Sequence, residues 1–292
     1  MSAPDYRAPE LLANALGIKR EFGADARVVA GGTDLILRMR DKVLSPKVLI
    51  DLRRISLASI SRHAGEMHLG AYVTLSQMLA SAEVRVAFPA LVEACRSFAG
   101  PPIRNRATLG GNIVNASPAA DLVPPLIAYD ASVVLASLSA SRVLPLMDFF
   151  TGPGKTVMEP HEVLTEVRLP LPPPRTAASF TKLGQRRSMA IAIVNLSARL
   201  TLDRAGQMSE ARIVLGSVAP TAMRARAAEA ILTGNEPSDE QFEQAANMAV
   251  AEISPISDVR SGKDYRKRVT GVLVRRALMA ARHKLAEVGR ND

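Results

Sequence analysis

Residues 108–121 read TLGGNIVNASPAAD, which sets two adjacent glycines among short polar side chains in a chain that is otherwise largely apolar. Adjacent glycines adopt positive φ angles readily and let the backbone approach a ligand, because no Cβ atom intervenes. Successive N–H groups in such a turn can converge on an anion. Asp121 adds an acceptor for a ribose or ring hydroxyl. The stretch therefore predicts a turn that contacts a ligand.

A second glycine pair lies in residues 28–35, VVAGGTDL. This pattern is typical of a short buried strand, a glycine turn and a helix opened by Thr33 or Asp34, an arrangement that commonly cradles phosphate. An ordinary tight turn accounts for either run alone equally well. Two such runs together favour a large phosphate-bearing cofactor held from both sides. Neither run is Gly-x-Gly-x-x-Gly or carries a P-loop lysine, which disfavours a standard dinucleotide fold or an NTPase.

The segment around the first glycine turn predicts a βαβ unit, with strands over 26–30 and 47–51 and a helix over 33–42. Parallel pairing of these strands places the Gly31-Gly32 turn at a carboxyl end of the sheet, where ligands usually bind. Further along the chain, Asp121 is expected to begin an apolar helix that runs to about Ala128.

Four prolines in residues 170–174 predict a stiff connector, and we place the domain boundary there. The domains are expected at 1–175, with subdomains of about 1–57 and 58–175, and at 176–292. The second domain is predicted to contain strands at 178–184, 191–202 and 210–219, followed by helices near 224–233, 238–252 and 264–285.

Composition limits the chemistry of this chain. Hydrophobic residues make up 48% and charged residues 22% of the 292 positions, a normal globular composition. No apolar run approaches the ~20 residues that span a bilayer, and the N-terminus has no apolar signal region, so we expect a cytoplasmic protein. The lone Cys95 excludes an internal disulfide, and it cannot supply the roughly four thiolates of an iron–sulfur cluster. No His, Cys and carboxylate grouping has metal-ligand spacing.

The net charge of +9 leaves three interpretations open. It could indicate nucleic acid, although aromatic residues are few and no binding motif is present. It could reflect a solvated helix face, or docking to an acidic partner subunit. Much of the charge falls late in the chain, at Arg260, Lys263, Arg266, Lys267, Arg268, Arg275 and Arg276.

Both glycine runs resemble those of the FAD-binding subunits of molybdenum hydroxylases, the family of the xanthine and carbon monoxide dehydrogenases. The resemblance continues in the same order through FFTGPGK (149–155), KLGQRR (182–187) and PISDVR (255–260), followed by Tyr265-Arg266. It implies an α+β fold. A PCMH-type (vanillyl-alcohol-oxidase-type) FAD-binding domain of two α/β subdomains would precede a small C-terminal domain with a three-stranded antiparallel sheet and helices.

The resemblance also implies which residues contact FAD. They are Val28, Val29, Ala30, Gly31, Gly32, Thr33, Asp34, Leu35, Phe98, Thr108, Gly110, Gly111, Asn112, Asn115, Asp121, Leu164 and Lys182. Lys182 would lie near the flavin ring, where a cation stabilises the reduced form. The alternatives are a surface lysine on a strand edge for Lys182, core packing for Phe98 and a helix cap for Asp121. No metal ligand and no acid–base residue for substrate chemistry is assigned.

The partners implied are a small iron–sulfur subunit with two 2Fe–2S clusters and a large molybdopterin subunit, assembled as a dimer of heterotrimers. In that assembly this chain takes electrons from the clusters and passes them to an external acceptor. The pattern departs from the family after KLGQRR, where Ser188-Met189-Ala190 replaces an acidic or aromatic residue, and Met189 is the candidate substitute. The alternatives are a self-contained FAD oxidase of the same fold and a basic scaffold or nucleic-acid-binding protein.

Overall fold

The computed structural model describes residues 3–186 and 188–288, so that Arg187 of the KLGQRR motif lies outside the described residues. The chain begins with a three-stranded parallel sheet in the order β1-β3-β2. Its elements are β1 (Asp5–Arg7), α1 (Leu12–Phe22), β2 (Ala26–Val29), α2 (Leu35–Arg40) and β3 (Val48–Asp51). The predicted βαβ unit is present, and the Gly31-Gly32 turn follows β2 at the carboxyl end of the sheet. Helix α2 is shorter at both ends than the predicted 33–42.

A five-stranded antiparallel sheet follows, in the order β4-β5-β10-β6-β7. Six short helices are inserted between its second and third strands in sequence. In chain order the elements are β4 (Ile60–His63), β5 (Glu66–Gly70), α3 (Leu75–Ala80), α4 (Ala82–Ala87), α5 (Pro89–Ser97), α6 (Pro101–Arg104), α7 (Leu109–Val114), α8 (Val123–Ala128), β6 (Ser132–Ala136), β7 (Ser141–Pro145), β8 (Phe150–Gly152), β9 (Lys155–Thr156) and β10 (Val163–Pro170).

Local sequence explains where these helices start. Thr74 caps α3 through a capping box with Gln77, as expected from a threonine three residues before a glutamine. Proline occupies the first turn of α5 and of α6, where a missing N–H costs no hydrogen bond. Cys95 is fully buried in the core that these helices form against the sheet.

The C-terminal part contains a four-stranded antiparallel sheet covered by three helices. Its elements are β11 (Thr176–Gly184), β12 (Ala192–Leu202), β13 (Met208–Gly216), β14 (Met223–Arg224), α9 (Arg226–Leu232), α10 (Asp239–Glu252) and α11 (Lys263–Val288). The three long strands and the three helices match the prediction. The two-residue β14 is an additional edge strand, which is too short to leave a periodic signal in sequence. In the described residues, no helix has both the length and the apolarity that a membrane span requires.

The final helix α11 shows that not all the late basic residues lie on a solvated helix face. Arg266 is only 3% exposed, and its guanidinium donates to the carbonyl oxygens of Ile193 and Ser217 at 2.7 and 3.0 Å. It also pairs with Asp258 at 2.7 Å. Arg266 therefore joins the start of α11 to the sheet and does not belong to an exposed basic face. Lys263, Lys267 and Arg268 remain exposed.

Arg266→Ala is expected to lower the free energy of unfolding by about 2–3 kcal/mol, because it leaves two buried carbonyl oxygens without donors. The exposed neighbour provides the control, since Lys267→Ala should not measurably change the melting temperature. Thermal or urea unfolding of the two variants checks this. Equal stability of the two variants would contradict the role assigned to Arg266.

Candidate functional site

The first glycine run packs against Arg106, which lies just before the second run, and the two runs approach each other closely. A Cβ atom built on Gly31 would lie 1.9 Å from the carbonyl oxygen of Arg106, two residues before Thr108. A Cβ atom on Gly111 would lie 3.8 Å from the Cβ of Ala30, and Arg106 Nε donates to the Gly31 carbonyl oxygen at 3.4 Å. The turn after β2 and the start of α7 thus form one continuous surface. Glycine is needed at position 31 because the chain itself closes on it.

The first run presents unused backbone donors. Helix α2 starts after Asp34, and the first bond into it runs from the Ile36 N–H to the Gly32 carbonyl oxygen at 3.3 Å. Within residues 3–186 and 188–288, no protein acceptor pairs with the backbone N–H groups of residues 31–34. Gly32 adopts a φ of 70°, which turns the chain into the helix. Consecutive free N–H groups at a turn that leads into a helix suit a phosphate.

The second run differs from this expectation, because the fold uses its backbone donors. The N–H groups of Gly110, Gly111 and Asn112 bond to Ala71 O, Thr108 Oγ1 and Thr108 O at 2.9, 3.1 and 3.0 Å. Thr108 thereby caps α7. Among the described residues Asn112 Oδ1 is buried and without a hydrogen-bond partner. This run can therefore meet a ligand through side chains, and not through an N–H cradle like that of residues 31–34.

Lys182 and Asp121 form a buried ion pair where the second run meets β11. Lys182 Nζ lies 2.5 Å from Asp121 Oδ2 and 3.5 Å from the carbonyl oxygen of Ser97. The side chains are 10% and 7% exposed, so Lys182 is not a surface lysine. Helix α8 starts at Val123 with Leu122 at the cap position, so the cap role considered for Asp121 is wrong. Burial raises the pKa of Asp121, and the charge of Lys182 opposes that rise.

Asn195 on β12 was not identified from the sequence. It is fully buried, and its Nδ2 donates to Asp121 Oδ1 at 3.0 Å and to the carbonyl oxygen of Ala120 at 3.4 Å. One indication of its role is present in the sequence: Asn195 is the single amide side chain in the almost fully buried strand AIVNLSARLTL. A buried polar side chain in an apolar run needs a partner, although the sequence alone does not say which one.

A cleft of ≈ 360 Å³ opens beside Lys182. Met189 stands at its wall with a φ of 55° and 59% of its surface exposed, and its carbonyl oxygen accepts from the Arg186 guanidinium at 2.7 Å. The segment Ser188-Met189-Ala190, where the sequence departs from the pattern expected from the resemblance, therefore places a thioether at the wall of the cleft. The cleft is lined by Ser97, Lys182, Leu183, Gly184, Arg186, Ser188, Met189 and Ala190.

The remaining candidate residues lie around this centre with differing exposure. Phe98 is half-buried and packs against the core beneath α5, next to Ser97 of the cleft. Leu164 is 5% exposed within β10, and Val28 packs against the core of the first sheet. The Val29 carbonyl oxygen accepts from the Tyr72 hydroxyl, which holds the end of β2 beside the second sheet. Contact of Phe98 and Leu164 with a cofactor stays a prediction.

This arrangement fits FAD. Free N–H groups at residues 31–34 match the needs of a diphosphate, and the unpaired Asn112 Oδ1 can accept from a hydroxyl or an amine. Lys182 and the cleft provide a cation beside a space bordered by Met189. The two regions are joined through residues 108–121, which pass close to Ala30 at Gly111 and pair with Lys182 at Asp121.

Comparison with known proteins matches two family models. Residues 2–172 match the FAD binding domain in molybdopterin dehydrogenase, and residues 179–281 match the CO dehydrogenase flavoprotein C-terminal domain. The carbon monoxide dehydrogenase medium chain of Hydrogenophaga pseudoflava is 33% identical over 282 residues, covering 95% of this chain and 96% of that protein. The 6-hydroxypseudooxynicotine dehydrogenase complex subunit alpha of Paenarthrobacter nicotinovorans is 32% identical, with 96% and 95% covered.

Solved structures agree with the sequence matches. A structure of carbon monoxide dehydrogenase from Hydrogenophaga pseudoflava superposes with a TM-score of 0.92 at 34% identity, covering 96% of this chain and 97% of that one. The likeness covers nearly all of both chains, so the two proteins share one fold across both matched regions.

Proposed function

The chain belongs to the family of FAD-binding subunits of molybdopterin dehydrogenases, and from this we infer that it is the electron-transfer flavoprotein of a molybdenum hydroxylase. It takes electrons from iron–sulfur clusters of a partner and passes them to an external acceptor. The observation that carries the proposal is the close approach of the two glycine runs, together with four backbone N–H groups on the first run that no described residue accepts from. Bound FAD supplies the capacity to take electrons singly and release them in pairs.

We assign the diphosphate to residues 28–35, where the N–H groups of Gly31, Gly32, Thr33 and Asp34 donate. Residues 108–121 would hold the cofactor from the other side through Asn112 and Asn115, with Thr108, Gly110 and Gly111 shaping the turn that allows close approach. Val28, Val29, Ala30 and Leu35 would line the same crevice, together with Phe98 and Leu164.

Lys182 would place its ammonium at the edge of the flavin ring, and Asp121 would hold that ammonium in place. Pairing with Asp121 holds the Lys182 ammonium beside the cleft in a largely water-excluded setting, where electrostatic effects are stronger than in bulk water. Met189 would border the ring where relatives carry an acidic or aromatic side chain. No residue of this chain is assigned to bond breaking on substrate.

The assembly we propose has a small subunit with two 2Fe–2S clusters and a large molybdopterin subunit, as a dimer of heterotrimers in the cytoplasm. With Cys95 as its single cysteine, and that one buried, this chain depends on a partner for cluster ligands. We propose domain limits of 1–175 and 176–292. The names of two relatives state different substrates, carbon monoxide and 6-hydroxypseudooxynicotine. We therefore attribute the choice of substrate to the large subunit and assign none here.

The purified chain is expected to carry about one FAD per polypeptide, seen as a flavin absorbance spectrum and quantified after extraction. The apoprotein should bind FAD at least about 100-fold more tightly than FMN, because several charge-assisted bonds to the diphosphate are lost with FMN. Titration with both flavins, followed by fluorescence, checks this. A flavin-free chain that binds RNA or DNA with a steep salt dependence would instead support a basic scaffold.

A further inference from the structure

We propose that Asn195 is a positioning residue, which orients the Asp121 carboxylate so that Asp121 holds the Lys182 ammonium at the wall of the cleft. This role rests on the proposed function, since the ammonium matters only if a flavin occupies the cleft. Asn195 itself does not touch the cleft, and acts through Asp121 alone.

The geometry divides the two carboxylate oxygens of Asp121 between two donors. Oδ1 accepts from Asn195 Nδ2 at 3.0 Å, and Oδ2 accepts from Lys182 Nζ at 2.5 Å. Asn195 and Lys182 are direct cross-strand partners in the pairing of β11 with β12, so both side chains approach Asp121 from the same face of the sheet. With both oxygens bonded, the carboxylate cannot rotate without breaking a buried hydrogen bond.

Gly216 on β13 completes the arrangement. It is the cross-strand partner of Asn195 on the other side, and a Cβ atom there would lie 2.1 Å from Asn195 Oδ1. Asn195 Oδ1 is itself buried and without a hydrogen-bond partner among the described residues. An unpaired buried amide oxygen destabilises a fold. The absence of a side chain at position 216 leaves room for the Asn195 amide, whose side-chain donations among the described residues go to Asp121 and the Ala120 carbonyl oxygen.

Among the described residues, the charged and titratable groups that face Asp121 are few. Lys182 approaches from β11, and the Cys95 thiol lies on α5, with Arg104 of α6 also acting on that thiol. Burial raises the pKa of Cys95, so the thiol stays neutral near pH 7. Burial also raises the pKa of Asp121, whereas the Lys182 charge and the Asn195 hydrogen bond lower it. Removing the Asn195 donor should therefore let Asp121 take up a proton at higher pH, which releases Lys182.

The test is the pH dependence of FAD binding by Asn195→Leu, a change that keeps the side-chain size and removes the donor. FAD should bind roughly 10-fold more weakly near neutral pH, by the usual effect of a lost hydrogen bond to a charged group. The acid limb of the binding profile should also move to higher pH. Ser197→Ala is the matched control, because Ser197 is buried on the same strand and donates to the Ser179 carbonyl oxygen at 2.9 Å, away from Asp121. It should lower stability without moving the profile.

A second pair of variants keeps the test decisive if Asn195→Leu folds poorly. Gly216→Ala should displace the amide and reproduce the shifted profile. Asn195→Ala combined with Gly216→Ala should regain thermal stability, because the clash is gone, and should keep the shifted profile, because the donor is still absent. A wild-type profile in Asn195→Leu or in the double variant overturns the positioning role. A wild-type chain without any affinity for FAD overturns the proposed function and this role together.

Discussion

Gly31→Ala is expected to reduce FAD affinity at least about 100-fold and to lower the free energy of unfolding by about 2–4 kcal/mol. The added methyl carbon would lie 1.9 Å from the carbonyl oxygen of Arg106 and 2.5 Å from its carbonyl carbon. Both are backbone atoms, so no side-chain rotation relieves the collision. The two glycine runs must separate, and the N–H groups of residues 31–34 then lose their position relative to residues 108–121.

Gly17→Ala makes the same chemical change in helix α1 and provides the matched control. Nothing lies within 4 Å of a Cβ atom at that position. The alanine should raise the free energy of unfolding by about 0.5–1 kcal/mol through its helix propensity, with FAD affinity unchanged. Urea unfolding and FAD titration of both variants make the comparison. Wild-type affinity in Gly31→Ala would show that the contact between the runs does not shape the binding site.

Lys182→Met should have the second large effect. It leaves the Asp121 carboxylate buried without its cation, which is expected to lower the free energy of unfolding by about 3–5 kcal/mol. The bound flavin should also show a lower midpoint potential, because the positive charge beside the ring is lost. The distant exposed pair Lys47–Asp25, at 2.8 Å, is the control, and Lys47→Met should change neither the melting temperature nor the potential.

A compensating variant separates stability from tuning of the flavin. Lys182→Met combined with Asp121→Leu removes both charges and should recover most of the lost stability, since no unpaired charge remains buried. The potential should stay below the wild-type value, because the cation at the ring is still absent and the loss of the more distant Asp121 anion offsets only part of its effect. A potential that returns to the wild-type value in the double variant would contradict the role of Lys182 at the ring. Potentiometric titration followed by absorbance measures it.

Several parts of the site were predictable because their signals are local. The glycine pairs and the strand that precedes Gly31 are encoded within a few positions of one another. The order of motifs identified the family, and the family identified the cofactor. Lys182 was proposed as a cofactor contact from its motif, but its burial against Asp121 was not predicted. The burial of the late basic residues could not be predicted, because charge alone does not distinguish the buried Arg266 from the exposed Lys267.

The sequence by itself determined the class of cofactor, the βαβ unit with its glycine turn, and the three long strands and three helices of the C-terminal part, because glycine pairs and hydrophobic periodicity act over short distances along the chain. Only the tertiary structure decided which donors remain available. Gly110 gives its N–H to Ala71, Gly31 is closed in by Arg106, and Asn195 reaches Asp121 from 74 residues away. A hydrogen bond depends on distance and direction in space, so groups far apart in sequence determine whether a polar atom serves the fold or a ligand.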